Sequence, residues 1–262
     1  MGRILLRKGL FILFPLLFSL STTSVYAQDN YEIQVYGSDL VDPKTTMLEL
    51  HSNFTFDGTK TEMNGVLSTN HVFHETVEVT HGFNKWLEVG FYFFNSIGNN
   101  GRTGYVGSHI RPRIAIPKSY NLPVGLSLST EVGFQNSKFS EDTWSVEIRP
   151  IVDKQWTKLY LSFNPTFDKA LKGPGTSEGF VFSPNFKASY AVTKVFIPGF
   201  EYYGAIGPLN NIYTWREQQQ QLFLAVDLDV SPKWEFNAGY GLGFTSSTDR
   251  DIFKIIVGRR LK

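Results

Sequence analysis

The fold is decided by Gln221 to Gly243, QLFLAVDLDVSPKWEFNAGYGLG. Leu222, Leu224, Val226, Leu228 and Val230 occupy one side of an extended chain, and Phe223, Ala225, Asp227 and Asp229 the other. After the turn Ser231-Pro232-Lys233, alternation resumes. Trp234, Phe236, Ala238, Tyr240, Leu242 and Phe244 share one face, with Glu235, Asn237, Gly239, Gly241 and Gly243 opposite. A period of two is the period of a strand. Strands of about ten residues with one apolar face and one small or charged face suit a membrane barrel, which has lipid outside and water or polar packing inside. The sequence therefore predicts an all-β fold: a single transmembrane antiparallel β-barrel of about twelve strands with both termini periplasmic.

Working outward, the same pattern predicts strands over 47–57, 68–80, 86–97, 105–116, 124–135, 143–152, 158–168, 179–190 and 195–206, before the last three at 221–230, 234–244 and 251–262. Connections after even-numbered strands are tight, such as His81 to Lys85 and Ala191 to Lys194. Those after odd-numbered strands are longer and rich in Gly, Asn and Ser, such as Gly58 to Leu67 and Gly207 to Gln220. Short periplasmic turns, longer extracellular loops and an even strand number are the pattern of bacterial outer-membrane barrels. Trp86, Trp156 and Trp234 fall beside short turns, where an indole ring sits at headgroup depth. Trp144 and Trp215 fall near the opposite rim. Pro112, Pro150, Pro165, Pro184 and Pro198 interrupt the strand pattern and point to bulges, since proline cannot donate to a ladder.

The start of the chain has the form of a secretory signal over residues 1–27. Arg3, Arg7 and Lys8 precede an apolar run from Gly9 to Leu20, and Val25-Tyr26-Ala27 forms a cleavage site. Residues 28–46, with the short strand-like piece Tyr31 to Tyr36, are expected on the periplasmic side or against the barrel mouth, leaving 47–262 as the barrel. Removing the three signal cations from 25 Lys and Arg leaves 22 against 24 Asp and Glu. Such a balance lacks the basic surface that nucleic acid requires. The chain has no cysteine, which excludes disulfide staples and thiolate metal sites.

With the apolar set turned to lipid, the opposite set faces the lumen. Glu49, His51, His109, Arg111, Arg113, Glu131, Glu147, Arg149, Asp227 and Asp229 are its principal charged members. One expectation is a polar solute path whose basic patch at Arg111, Arg113 and Arg149 favours anions. The other is a lumen filled by pairing of these interleaved charges. No catalytic residue, cofactor or metal is expected. His51 and Ser52 are neighbours on a strand and point to opposite faces, as do His71 and His74. Glu75 falls on the apolar face, so either it lies near the rim or a bulge shifts the register.

Five stretches carry a family resemblance: TTMLELHSNF (45–54), VGSHIRPRIAIP (106–117), TWSVEIRPIVDKQ (143–155), VDLDVSPKWEFNAGYGLG (226–243) and IIVGRR (255–260). They resemble a group of uncharacterised Gram-negative outer-membrane barrels related to the phenol meta-pathway transporter family. The resemblance implies an outer-membrane location, with membrane lipid and small solutes as partners, and transport. It brings no binding residues with it. The alternatives are a closed barrel that binds partners through loops such as 207–220, with Tyr213 and Trp215 exposed, and a lipid-modifying enzyme.

Overall fold

The computed structural model describes residues 30–261, so the signal sequence expected over residues 1–27 lies outside the described residues. The strands run in chain order as β1 (Thr46–Asp57), β2 (Val72–Gly82), β3 (Leu87–Ile97), β4 (Gly104–Ala115), β5 (Gly125–Gln135), β6 (Trp144–Gln155), β7 (Leu159–Lys172), β8 (Val181–Tyr190), β9 (Phe196–Ala205), β10 (Gly207–Pro208), β11 (Gln219–Leu228), β12 (Trp234–Gly243) and β13 (Asp251–Leu261). All pair antiparallel with their chain neighbours, except that the two-residue β10 folds back on β8 and lets β9 pair with β11. The β1–β13 ladder closes the ring, giving a barrel wall of twelve long strands. Closure leaves no unpaired edge.

The alternation dictates which way the wall faces. In β11, Leu222 and Leu224 are exposed while Phe223 and Ala225 are buried, and in β12, Tyr240 and Leu242 are exposed opposite Asn237. Leu48, Leu50, Phe91, Phe93, Ile110, Ile114, Leu128 and Phe200 continue the apolar outer face around the ring. Trp86 and Trp156 lie exposed at the short-turn end, and Trp234 beside them stacks on Phe236. The Arg259 guanidinium lies 4.6 Å from the Trp234 ring centre.

Pro112, Pro150 and Pro165 fall at gaps in the ladder rather than at bulges, while Pro184 and Pro198 sit in the unbroken registers of β7–β8 and β9–β11. The β4–β5 pairing skips Arg111 and Pro112 and resumes in the same register, and β6–β7 skips Arg149 to Ile151 likewise. Register shifts occur elsewhere, at Thr55/Asp57, Phe94/Asn95 and Trp144/Ser145. At Glu75 the β1–β2 register is unbroken; the carboxylate stays on the outer face, where the Ser52 hydroxyl donates to it at 2.5 Å.

The largest departure from the sequence reading is the segment before β1. Residues 30–41 are not a periplasmic extension; they run through the barrel lumen from the long-loop end to the short-turn end. At the long-loop end, the Asn30 side chain donates to Asp249 at 2.5 Å and its carbonyl accepts from Asn53. At the short-turn end, Asp39 meets Lys118 and the backbone N–H of Val41 donates to Glu88. The N-terminal end of the described chain thus lies at the long-loop end, not the short-turn end where β1 begins. A dozen extended residues reach at most about 40 Å, enough to traverse a bilayer core of about 30 Å. Eight-stranded barrels are filled by side chains alone and sixteen-stranded ones leave a channel. A twelve-stranded barrel has intermediate width, and here one extended strand of its own chain takes up the space.

Candidate functional site: the occupied lumen

The segment is held by side chains of the wall rather than by a β-ladder. Buried backbone groups must find partners, and seven strands supply them. The Tyr36 N–H donates to Asn164 Oδ1 at 2.8 Å, and its carbonyl accepts from Ser162 at 2.6 Å and Asn164 at 3.0 Å. Thr76 donates to the Tyr31 carbonyl, Lys254 to that of Ile33, and Arg113 to those of Gly37 and Asp39. Asp153 accepts from both the backbone and the hydroxyl of Ser38, at 2.9 and 2.7 Å.

Its apolar side chains complete two cores inside the lumen. Ile33 and Val35 pack with Tyr203, Phe223 and Ile252, while Tyr31 packs with Tyr92, Phe94 and Val106. These inward aromatics are the lumen residues that the sequence reading left out, having assigned the lumen to charged groups. Their signal was present: Tyr92, Phe94 and Phe223 occupy positions whose parity turns them inward.

Most of the expected lumen charges do lie inside, and they are paired. Arg111 meets Glu78 at 2.5 Å and Glu88 at 3.2 Å, and Arg113 meets Glu88 at 2.8 Å. Arg149 bridges Glu147 on its own strand, at 2.7 Å, and Glu32 of the threaded segment, at 3.1 Å. His109 pairs with Glu131. Asp227 joins Lys187 at 2.8 Å. Glu201 holds Lys187 and the fully buried Lys254. Glu49 and His51 are buried on β1. Asp229 departs from the expectation: it lies just past the end of β11, exposed at the short-turn rim, because the strand stops at Leu228.

Tyr36 sits at the middle of the basic patch. The guanidinium carbons of Arg149, Arg111 and Arg113 lie 4.8, 4.9 and 5.5 Å from its ring centre. Its hydroxyl donates to Glu32 at 2.6 Å and lies 2.9 Å from that of Tyr92. Cation–π attraction strengthens when the partners are shielded from water, and Arg111 here is 2% exposed. The patch expected to face a solute instead faces the protein's own tyrosine.

At the long-loop end, Trp215 is exposed as expected, but Tyr213 is buried and donates to Glu178 at 2.7 Å. Burial pushes the Tyr213 phenol up, and the neighbouring Glu178 carboxylate adds to the shift. Gly207 makes this packing possible: its φ is +110°, and a Cβ there would lie 2.8 Å from the Tyr213 ring. His51 and Ser52 face opposite sides of β1, as do His71 and His74 around the start of β2.

A closed, antiparallel twelve-strand wall with an apolar outer face and a polar, aromatic lumen is a porin-like outer-membrane β-barrel fold. Solved structures of that class match across most of the chain. An outer membrane channel from Pseudomonas putida F1 superposes with a TM-score of 0.57 at 9% identity, over 88% of this chain and all of that one. The KdgM porin gives 0.56 at 8% identity, over 82% of this chain and 99% of its own. The NanC porin gives 0.55 at 11% identity, over 82% and 99%. No family model matches the sequence, and no curated protein does.

Proposed function

We propose that the chain is an outer-membrane channel for small solutes, held closed in this state by its own residues 30–41, with the long loops facing outside. One observation carries the proposal: the segment fills the lumen yet contributes nothing to the wall. The β1–β13 and β1–β2 ladders close the ring without it, so it can leave while the barrel stays intact. Its departure would remove Glu32 from Arg149 and two carbonyls from Arg113, leaving Glu78, Glu88 and Glu147 as the carboxylate partners of the three arginines and making the patch more attractive to anions than in the closed state. One KdgM porin structure contains disordered oligogalacturonate, and an acidic sugar is the kind of solute such a patch would accept. Kinship with a group of outer-membrane barrels related to the phenol meta-pathway transporter family is part of the same proposal and rests on the quoted stretches of sequence.

The chain lacks cysteine, so a reversible lock can be built cleanly. A Cβ placed at Gly125 lies 3.1 Å from the Ser38 Cβ, a few tenths of an ångström short of the usual disulfide range of about 3.5–4.5 Å, and 2.0 Å from Asp153 Oδ1, a carboxylate end that must turn aside. In planar bilayers, oxidised Ser38→Cys/Gly125→Cys protein should be silent, and reduction should restore openings. Equal conductance in both states would overturn closure by the segment. Silence in both would overturn the channel. It would favour the second reading, a closed barrel that binds through its loops, for which Leu209, Ile212 and Trp215 form an exposed apolar group.

A further inference from the structure

Inside the barrel wall, Glu49 of β1 stands directly opposite Glu78 of β2, and His51 lies one step along on the same face. Like charges facing each other across a ladder are destabilising. Among the described residues, no cationic side chain lies within ion-pair distance of Glu49, which is 7% exposed. Glu78 is satisfied on one side only: Arg111 and the Thr80 hydroxyl hold its Oε1, at 2.5 and 2.6 Å. Its Oε2 is thereby aimed at His51, whose Nε2 is 3.5 Å away, beyond hydrogen-bond range. That oxygen and both ring nitrogens of His51 are buried without a hydrogen-bond partner.

Buried polar atoms are rarely left unpartnered, and each such group calls for an explanation. One ligand atom from each of Glu49, His51 and Glu78 lies within 4.8 Å of the other two. An ion bound at about 2.0–2.2 Å from each would need separations of about 3–4 Å, and His51 Nε2 already stands 3.5 Å from Glu78 Oε2. We propose that Glu49, His51 and Glu78 form a site for one divalent first-row transition-metal ion. One imidazole and two carboxylates suit Zn²⁺ or Mn²⁺ rather than the all-oxygen sets preferred by Ca²⁺. The ion would neutralise the facing carboxylates and take the orphaned nitrogen of His51. Arg111 and Thr80 fix the orientation of Glu78, as outer partners of metal ligands do. The competing explanation is a protonated His51 between the two carboxylates, which binds no metal.

The test uses the full-length refolded protein, stripped with a chelator and then equilibrated with Zn²⁺. Elemental analysis should find one zinc per chain, and X-ray absorption should show an oxygen–nitrogen shell containing a single imidazole. His51→Gln and Glu49→Gln, checked for folding by heat-modifiable gel mobility, should each weaken binding by at least about tenfold, the lower end for even an outer-sphere partner. Sub-stoichiometric zinc in the wild type would overturn the site, as would stoichiometric zinc that survives His51→Gln. If His51→Gln does not fold, a wild-type shell with no imidazole, or with two or more, overturns it.

Discussion

Deletion of residues 28–41, with residues 1–27 joined directly to Asp42, converts a silent barrel into a conducting one. The ring of ladders does not pass through the deleted residues, so the wall should assemble. The loss is of lumen packing. Tyr31, Ile33, Val35 and Tyr36 are each about 1–6% exposed, and burying a large apolar side chain contributes roughly 1.5–3 kcal/mol. Water entering the vacated space would solvate Asn164, Ser162, Thr76 and Asp153 in place of the lost backbone partners, which offsets part of the cost. The deletion also takes Glu32 away from Arg149, so the opened path should prefer anions. Single-channel recording in planar bilayers checks the openings, and the reversal potential in a salt gradient checks the sign. A silent deletion protein that still shows heat-modifiable mobility, or one that prefers cations, would contradict this expectation.

Glu201→Gln should be among the most damaging single changes in the wall. Glu201 is 1% exposed. It meets Lys187 at 3.1 Å and is paired with Lys254, and the Tyr203 hydroxyl donates to it at 2.7 Å. Lys187 would keep Asp227. Lys254, fully buried, would keep only the neutral Ile33 carbonyl and Tyr203 hydroxyl. Breaking a buried ion pair from one side costs roughly 3–5 kcal/mol, because an uncompensated charge remains. Removing both charges avoids most of that cost, so Glu201→Gln/Lys254→Met should recover much of the lost stability. Asp229→Asn, at the exposed rim, should change stability by no more than about 0.5 kcal/mol. Urea unfolding followed by gel mobility measures all three. A Glu201→Gln protein as stable as the wild type would remove the argument.

The wall was legible because a barrel strand carries its own instructions. Phe223 and Leu224 must part to opposite faces, and the turn at Ser231-Pro232-Lys233 fixes which residues of β11 and β12 face each other. The lumen was less legible, for a physical reason. YEIQVYG has the alternation of a strand but pairs with none. Its partners Thr76, Lys254, Asn164, Asp153 and Glu88 are scattered over the chain, so no sequence period marks them. The interleaved charges carried no signal for which would pair: Arg111 finds Glu78 and Glu88 on other strands, while Arg149 finds Glu147 on its own. The inward aromatics held the missing information. Phe94, Phe223 and Ile252 would face water in an open pore, and a buried strand such as Tyr31 to Tyr36 is what shields them. Glu75 was puzzling only until its cross-strand neighbour Ser52 was seen to donate to it.

Whether residues 30–41 lie within the lumen is open to direct measurement through amide hydrogen exchange on the folded, detergent-solubilised protein. The N–H groups of Tyr36, Ser38 and Val41 donate to Asn164, Asp153 and Glu88 inside the barrel. They should exchange orders of magnitude more slowly than those of an unstructured peptide, approaching the protection of the wall strands. Exchange at these three amides as fast as in a free tail would place the segment outside the barrel and contradict the account.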